Sequence, residues 1–415
     1  MRPTFPFLRL FKNYTHSVFF MGQLAQIFSD RFQLQLSTSW QQWFNQTSRE
    51  VQLPGFFRKP VELDGLCAQR PTQIWAGFML PDSLPILGNG YGDWICARVD
   101  HEGKIYELVH WYHGGGDWVP VGNSLAEAVV HDAVDVHRPV RKQMLRGAVE
   151  TTRSSSGSHS AALLQWLTIT LSADRPLVTA DNLGNLLQQS TANNYAGSVQ
   201  RLIELGIAVD AAVCDSIEQI IQQSVPSENA SLHMLSEEDC QRIIGFCQSV
   251  LERRQDLGWS FSLLGWCQQL NGDKLAGRES FFKGRLASAF SDQSVRLRLH
   301  RFEQKYGKFS IAQLASNKTT LYPEMLEDSY LAACLDSKDA NLVARIQDYW
   351  LNLAQQASNQ QDYASAYRFA FNAGWDLGAA NMASYRKILD FLAVLAAKAG
   401  WVARAAIAKA HLDAI

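Results

Sequence analysis

The sequence predicts an α+β protein, with a small sheet in the first third of the chain and helices in the remainder. Two observations carry this prediction. Short β-type runs alternate with Gly, Asn and Asp turns between Leu80 and Gly122. After residue 160, apolar residues recur at helical spacing. The change of character near residues 140–160 separates the two parts.

The composition is that of a folded protein with a sizeable core. Hydrophobic residues make up 47% of the 415 and charged residues 19%, and the length allows two or three domains. Lys and Arg number 38 against 40 Asp and Glu, so neither part carries the basic excess that nucleic-acid binding needs. The seven cysteines contain no CxxC, so neither a disulfide framework nor a zinc ribbon is predicted.

The sequence predicts no membrane span. No run of 18 apolar residues occurs, and the stretch before Gly22 is interrupted by Arg9, Lys12 and His16 without a small-residue cleavage site. Most cysteines stand beside apolar residues, which fits buried thiols in a reducing compartment. We therefore expect a cytoplasmic protein.

Helices precede the predicted sheet. Apolar residues between Gly22 and Asn45 have helical spacing, and Ser37 or Ser39 can start a second short helix. The segment before residue 50 is therefore expected to pack as helices against the strands that follow.

Three strands are then predicted in succession. Trp94–Val99 and Ile105–Trp111 flank the Gly-containing loop Asp100–Lys104, which has hairpin length. A third run, Trp118–Val121, ends at Gly122. The sequence therefore predicts a hairpin extended by one more strand.

A helix is predicted directly after the third strand. Ser124-Leu125-Ala126-Glu127 is a capping box, in which the serine hydroxyl accepts from a first-turn amide and the glutamate reaches back. Apolar residues follow at helical spacing. This pattern predicts a sheet followed by a helix.

The rest of the chain predicts a Ser-rich linker over 141–160 and an all-α domain over 161–415. A helix start stands at Ser236, and Leu263–Trp266 with Ala276–Ala289 suggests a helix pair of tetratricopeptide length. Gly277 and Gly284 stand where that motif uses alanine, and no period repeats. We expect a bundle or an irregular helical-repeat array.

The segment Leu80–Ala128, which is rich in Gly, Asp and aromatic residues, resembles the SUKH superfamily, the fungal cell-wall-assembly regulators and their bacterial relatives. Leu84–Trp94 is similar to that family's turn, Gly103–Tyr106 to its second strand and Val121–Ala128 to its closing strand-to-helix element. The resemblance covers about residues 20–137. The chain differs from the family pattern after the second helix, where it has Asn45-Gln46-Thr47 near the position of the family's Asn-Gly-Gly. The resemblance implies a SUKH-like domain over residues 1–140, with a small mixed or antiparallel sheet flanked by helices.

Members of this family bind protein partners rather than turn over substrates. The resemblance therefore implies a non-enzymatic module without a cofactor, and in bacteria an immunity protein that occludes a cognate toxin, or a related regulator. One alternative is a scaffold or regulator that binds through its C-terminal helices. Another is a metal-dependent enzyme that uses His110, His113 and Asp117, although no third ligand stands in a recognisable motif.

The candidate partner-binding residues lie in two segments, Asn89–Trp94 and His110–Trp118. Both segments are rich in aromatic residues, which dominate contact energy in protein interfaces. For the polar residues of the first segment, turn formation is favoured over partner binding. The aromatic rings of the second segment either bind a partner or cover the sheet. A strand at His110 would send the His110 and His113 rings to opposite faces. The candidates are Asn89, Tyr91, Asp93, Trp94, His110, Trp111, Tyr112, His113, Asp117 and Trp118.

Overall fold

A five-stranded antiparallel sheet lies in the N-terminal part of the protein and helices make up the C-terminal part, which confirms the predicted α+β class. The strands follow one another in sheet order, each paired with its neighbour in the sequence. The computed structural model describes residues 24–47, 56–113, 118–125, 128, 132, 237–252, 254–291, 306–316, 321–336 and 341–415. The predicted linker over 141–160 lies outside these residues.

In the N-terminal part, short helices precede and interrupt the strands of one sheet. A single π-helical turn, Trp43–Thr47, extends the second helix. The elements are α1 Leu24–Phe32, α2 Thr38–Gln42, β1 Lys59–Pro60, α3 Leu63–Leu66, β2 Ser83–Gly88, β3 Trp94–Val99, β4 Ile105–Trp111 and β5 Trp118–Gly122.

The predicted hairpin is confirmed to the residue, since β3 and β4 have the expected bounds. In its loop, Gly103 has a φ of 86°, and a Cβ there would lie 2.9 Å from the Gln33 carbonyl oxygen. Gly103 also accepts the Gln35 amide hydrogen at 2.8 Å. Only glycine combines this backbone conformation with so close an approach, so the loop is fastened to the end of α1.

The helix predicted after β5 begins where the capping box places it. Leu125 and Ala128 are buried, and the Ala128 amide donates to the Ser124 carbonyl at 3.1 Å. Further along, the Asp132 carboxylate accepts from the Phe57 amide at 2.9 Å. The Asp132 side chain therefore holds the segment that leads into β1.

The C-terminal part is a succession of helices in which neighbours along the chain pack on one another. We call residues 237–414 the helical region. A 3₁₀ turn, Ala289–Ser291, lies against β5. The helices are α4 Glu237–Leu251, α5 Gly258–Leu270, α6 Lys274–Gly284, α7 Phe309–Ser316, α8 Pro323–Leu326, α9 Ser329–Leu335, α10 Leu342–Asn359, α11 Tyr363–Trp375, α12 Met382–Lys398 and α13 Val402–Ala414.

Three helix pairs share one kind of turn, in which a residue with positive φ is followed by the next N-cap. This residue is Gly272 between α5 and α6, Gln361 between α10 and α11, and Gly400 between α12 and α13. In the first two turns the N-cap is an aspartate: Asp273 accepts from the Ala276 amide, and Asp362 from Ser365. A side-chain oxygen at this position stabilises the helix start by about 1 kcal/mol.

The glycines that depart from the tetratricopeptide pattern allow α5 and α6 to approach closely. A Cβ on Gly265 would lie 2.9 Å from the Gly277 carbonyl oxygen, and a Cβ on Gly277 would lie 2.8 Å from that of Gly265. Gly284 likewise faces the Phe261 side chain. Alanine at these positions would force the two helices apart.

One buried carboxylate connects four segments of the helical region. Asp376, only 1% exposed, accepts from the Tyr330 hydroxyl at 2.5 Å and from the Trp350 indole at 2.8 Å. The Lys308 ammonium lies 2.5 Å from its other oxygen. Burial and the Asp376 charge raise the pKa of Tyr330 well above its ordinary value, so this hydroxyl stays a donor.

The helical region and the sheet share one apolar core. α13 packs on α1, and Trp375 at the end of α11 is fully buried beside the residues that precede β2. None of the helices in the described ranges has both the length and the apolarity needed to cross a bilayer.

Candidate functional site

The three candidate tryptophans lie side by side across the sheet. Trp94 of β3 pairs with Trp111 of β4, and Trp111 pairs with Trp118 of β5. Trp111 is 1% exposed and Trp118 is 3% exposed, whereas Trp94 is half-buried with its ring over Gly88. In the structure, Trp111 and Trp118 are therefore core residues that cover the sheet rather than rings displayed at the surface.

The Asn89 and Asp93 side chains build the turn between β2 and β3. The Asn89 amide group donates to the Asp93 carboxylate at 2.9 Å, and its carbonyl oxygen accepts from the Tyr91 and Asp93 backbone amides. Gly90 and Gly92 have φ of 79° and 107°. Both polar residues therefore serve the turn geometry, as the favoured interpretation holds.

Tyr91 is the residue that this turn displays. It is 72% exposed, and its ring stacks on Phe56 with the centroids 5.7 Å apart and the planes 6° from parallel. The stacking contact covers only part of the ring, because most of the side chain stays exposed. Tyr91 thus combines exposure with one defined ring contact.

The two candidate histidines lie in different environments. His110, 9% exposed, meets Phe57 edge-on at 4.6 Å and stacks on Tyr112 at 3.7 Å. His113 lies at the surface, where its Nδ1 is 2.8 Å from the Asp93 carboxylate and its amide donates to the same oxygen. Within the described residues no group of three His, Cys, Asp or Glu side chains is arranged to hold a metal ion, and Asp117 lies outside them.

Two exposed aromatic residues were not among the candidates. Trp75 is 45% exposed and Phe78 is 39% exposed, and the Trp75 ring lies 6.2 Å from that of His113. Two large aromatic residues separated by Ala76-Gly77 could have been noticed in the sequence. We call Phe56, Trp75, Phe78, Tyr91 and His113 the aromatic surface.

Trp75 and Phe78 belong to a segment that the rest of the molecule holds closely. We call residues 75–83 the anchored segment. The Trp111 indole donates to the Phe78 carbonyl at 3.1 Å, and the Trp375 indole donates to the Met79 carbonyl at 3.0 Å. The exposed side chains therefore stand on a backbone that two buried tryptophans fix.

The end of the anchored segment enters a network of buried charges. Arg98 bridges Asp82 at 2.9 Å and Glu107 at 3.0 Å, and both carboxylates are almost fully buried. Arg254 bonds to Glu107 and Arg404 lies 3.8 Å from Asp82, so both ends of the helical region reach this network. Burial alone lowers the pKa of Arg98, but the two carboxylates outweigh it and hold that pKa well above its ordinary value.

His411 of α13 contacts the next residue of the segment. Its Nε2 lies 2.9 Å from the Ser83 carbonyl oxygen, which can only accept, so Nε2 carries the proton of a neutral ring. Burial lowers the pKa of His411 from 6.5 to about 4, and the hydrogen bond to Ser83 and the Asp82 carboxylate offset only part of this. The contact between α13 and β2 is therefore formed by an uncharged imidazole.

We expect the burial of His411 to make the protein less stable in acid, because its ring is buried in the uncharged form. Because the unfolded chain protonates near pH 6.5 and the folded one near 4, the unfolded state binds more protons between these values. The free energy of unfolding should therefore fall by about 3 kcal/mol from this residue as the pH drops through that window, at about 1.4 kcal/mol per pH unit.

Urea unfolding of the wild type and of His411→Gln between pH 4 and 8 would measure this contribution. The variant keeps an uncharged donor but cannot titrate, so the difference between the two stabilities should narrow as the pH falls. Parallel stability profiles over the whole range would contradict the expectation.

In comparisons with known proteins, no protein-family model matches the chain, and neither does any curated protein or any solved structure.

Proposed function

We propose that this protein is a protein-binding module whose partner contacts the aromatic surface. The observation that carries the proposal is the exposure of three large aromatic side chains, Trp75, Phe78 and Tyr91, at one end of the sheet. Tryptophan and tyrosine are the residues most enriched among those that dominate binding energy in protein interfaces. Exposed apolar side chains that are grouped in one area of a surface mark interaction sites, whereas single ones are ordinary.

The backbone beneath these rings is already ordered, which lowers the entropic cost of binding. Asn89 and Asp93 close the turn that carries Tyr91, and the anchored segment carries Trp75 and Phe78. His113 joins the two parts, since it bonds to Asp93 and its ring faces that of Trp75. The surface is thus suited to a partner that presents a complementary apolar patch.

We further propose that the N-terminal part is SUKH-like and that the protein acts without catalysis in the cytoplasm. The similarity of Leu84–Trp94, Gly103–Tyr106 and Val121–Ala128 to that superfamily supports this proposal. In a bacterium, the partner would be a cognate toxin, and the protein would neutralise it by covering its active site or its substrate path. Occlusion of this kind needs rigid shape complementarity rather than reactive groups.

The test is affinity purification of the full-length protein from its own cells, with quantitative mass spectrometry of what is bound. Trp75→Ser/Tyr91→Ser should reduce recovery of one specific protein at least tenfold, because loss of an anchor in an interface centre costs about 2 kcal/mol or more. Val402→Ser removes a residue that is 59% exposed on α13 and is the matched control. Equal recovery of every bound protein by the wild type and the double variant would overturn the proposal.

The second candidate is a scaffold that binds through its helices, favoured by the three helix pairs with a common turn. The pair α5–α6 leaves Leu270 and Leu275 exposed on either side of its turn. The same purification with Leu275→Ser distinguishes the candidates. Loss of the partner with this variant, but not with Trp75→Ser/Tyr91→Ser, would assign binding to the helical region.

A further inference from the structure

We infer that the aromatic surface is a composite of both parts of the chain and takes its binding conformation only while the helical region is docked on the sheet. In this inference, Trp111 and Trp375 are positioning residues that act through the anchored segment. The binding consequence rests on the proposed function, whereas the positioning itself does not.

The first step is the pair of indole donors. Trp111 comes from β4 and Trp375 from the end of α11, and they donate to the consecutive carbonyls of Phe78 and Met79. Both rings are almost completely buried, at 1% and 0% exposure. Residues 75–79 form a turn rather than an extended strand, because the Phe78 and Met79 amides both donate to the Trp75 carbonyl. Sheet and helical region therefore each hold one peptide of the same turn.

The second step is the close approach of α12 to this turn. Gly77 has a φ of 83°, and a Cβ there would lie 2.8 Å from the Tyr385 ring. The same ring lies 6.3 Å from that of Phe78 and 5.5 Å from that of Trp375. At Gly77 the backbone of the anchored segment therefore lies directly against a ring of the helical region.

The third step is the hold on the end of the anchored segment. Arg404 and His411, both on α13, lie beside the Asp82 carboxylate and the Ser83 carbonyl respectively. Arg404 also donates to the Val99 carbonyl of β3 at 3.0 Å. Four side chains of the helical region, from three helices, therefore contact residues 77–83.

Undocking would remove these four contacts together and would leave the segment with the contacts of Trp111 and Arg98 from the sheet. Trp75 and Phe78 would then lose the fixed backbone on which they stand, and binding would again carry the entropic cost of ordering it. Docking of the helical region is in this way a control on partner binding, located away from the exposed rings.

Hydrogen exchange of the full-length protein, followed by mass spectrometry of peptides from residues 75–83, tests the positioning. Trp375→Phe keeps an aromatic ring and removes the donor to Met79, so the Phe78 and Met79 amides should exchange about fivefold to tenfold faster. Trp266→Phe, which removes a similarly buried indole from α5, is the matched control. Unchanged exchange in residues 75–83, or an equal increase with the control, would overturn the inference.

A second variant covers the case in which Trp375→Phe does not fold. Tyr385→Leu removes the ring from Gly77 and Phe78 while the indole donor remains, and it should accelerate exchange in the same peptides. In the purification experiment, Trp375→Phe should also lower partner recovery. Faster exchange with undiminished recovery would refute the composite binding surface, whereas failure of Trp75→Ser/Tyr91→Ser to affect recovery would refute the proposed function alone.

Discussion

Asp376→Asn is expected to lower the free energy of unfolding by about 3–5 kcal/mol, the usual cost of leaving a buried charge without its partner. The substitution keeps the size of the side chain but removes its charge, and the ammonium of Lys308, which is 5% exposed, stays behind. Tyr330 and Trp350 both donate to the same oxygen, so an amide that keeps its oxygen there places its NH2 group, which can only donate, against the Lys308 ammonium. The expected loss of stability therefore comes from the contacts around residue 376.

Urea unfolding monitored by far-ultraviolet circular dichroism measures this effect, and Asp390→Asn, at an exposed position on α12, is the control. The double variant Asp376→Asn/Lys308→Met removes both charges and should be less destabilised than the sum of the single variants. A loss below about 1 kcal/mol for Asp376→Asn, in the range of surface substitutions, would show that the charge pair contributes little.

Arg98→Leu is expected to have an effect of similar size, about 3–5 kcal/mol. The guanidinium is the only group that bridges Asp82 and Glu107 among the described residues, and their side chains are 2% and 4% exposed. After its removal, Asp82 keeps Arg404 at 3.8 Å and Glu107 keeps Arg254. Each carboxylate would then be left with less charge compensation than its burial requires.

The same unfolding experiment applies, with Arg368→Leu as the control, since Arg368 is exposed and bonds only to Ser365 in the contacts described for it. Arg98→Lys should recover part of the loss, because an ammonium keeps the charge but cannot donate to both carboxylates in the fork geometry of a guanidinium. Arg98→Leu with the stability of the wild type would mean that the other two arginines suffice.

Together, the two substitutions address different parts of the same arrangement. Asp376 directly follows Trp375 and connects α9 and α10 to the end of α11, which carries this indole, whereas Arg98 bonds to Asp82 at the end of the anchored segment. We therefore expect Arg98→Leu to accelerate hydrogen exchange in residues 75–83 by local opening, under conditions in which the sheet stays folded.

Local pattern was enough to predict three of the five strands, β3, β4 and β5, and several helix starts, whereas β1 and β2 were not predicted. The bounds of β3 and β4, the end of β5 at Gly122 and the helix start after Ser124 are confirmed. Each depends on residues within a few positions of one another, such as a turn glycine or a cap. The helix pair α5–α6 is confirmed for the same reason, although α6 ends at Gly284 and not at Ala289.

The candidate site was only partly predictable. Tyr91 and His113 lie at the surface as candidates should, but alternation in a strand shows which residues share a face and not what covers that face. The sequence therefore left open whether Trp111 and Trp118 are accessible anchors or cover the sheet, and in the structure both are buried. Trp75 and Phe78 had no periodic pattern around them and were missed.

By itself, the sequence determined the α+β class, the hairpin and the turn that displays Tyr91, because hydrogen bonds and steric limits between near neighbours decide these features. The tertiary structure alone decided which aromatic rings are exposed and which residues hold them. The contacts responsible, Trp375 to Met79, Arg404 to Val99 and His411 to Ser83, join residues about 300 positions apart. No local pattern encodes such pairs, since they depend on how the helical region packs across the sheet.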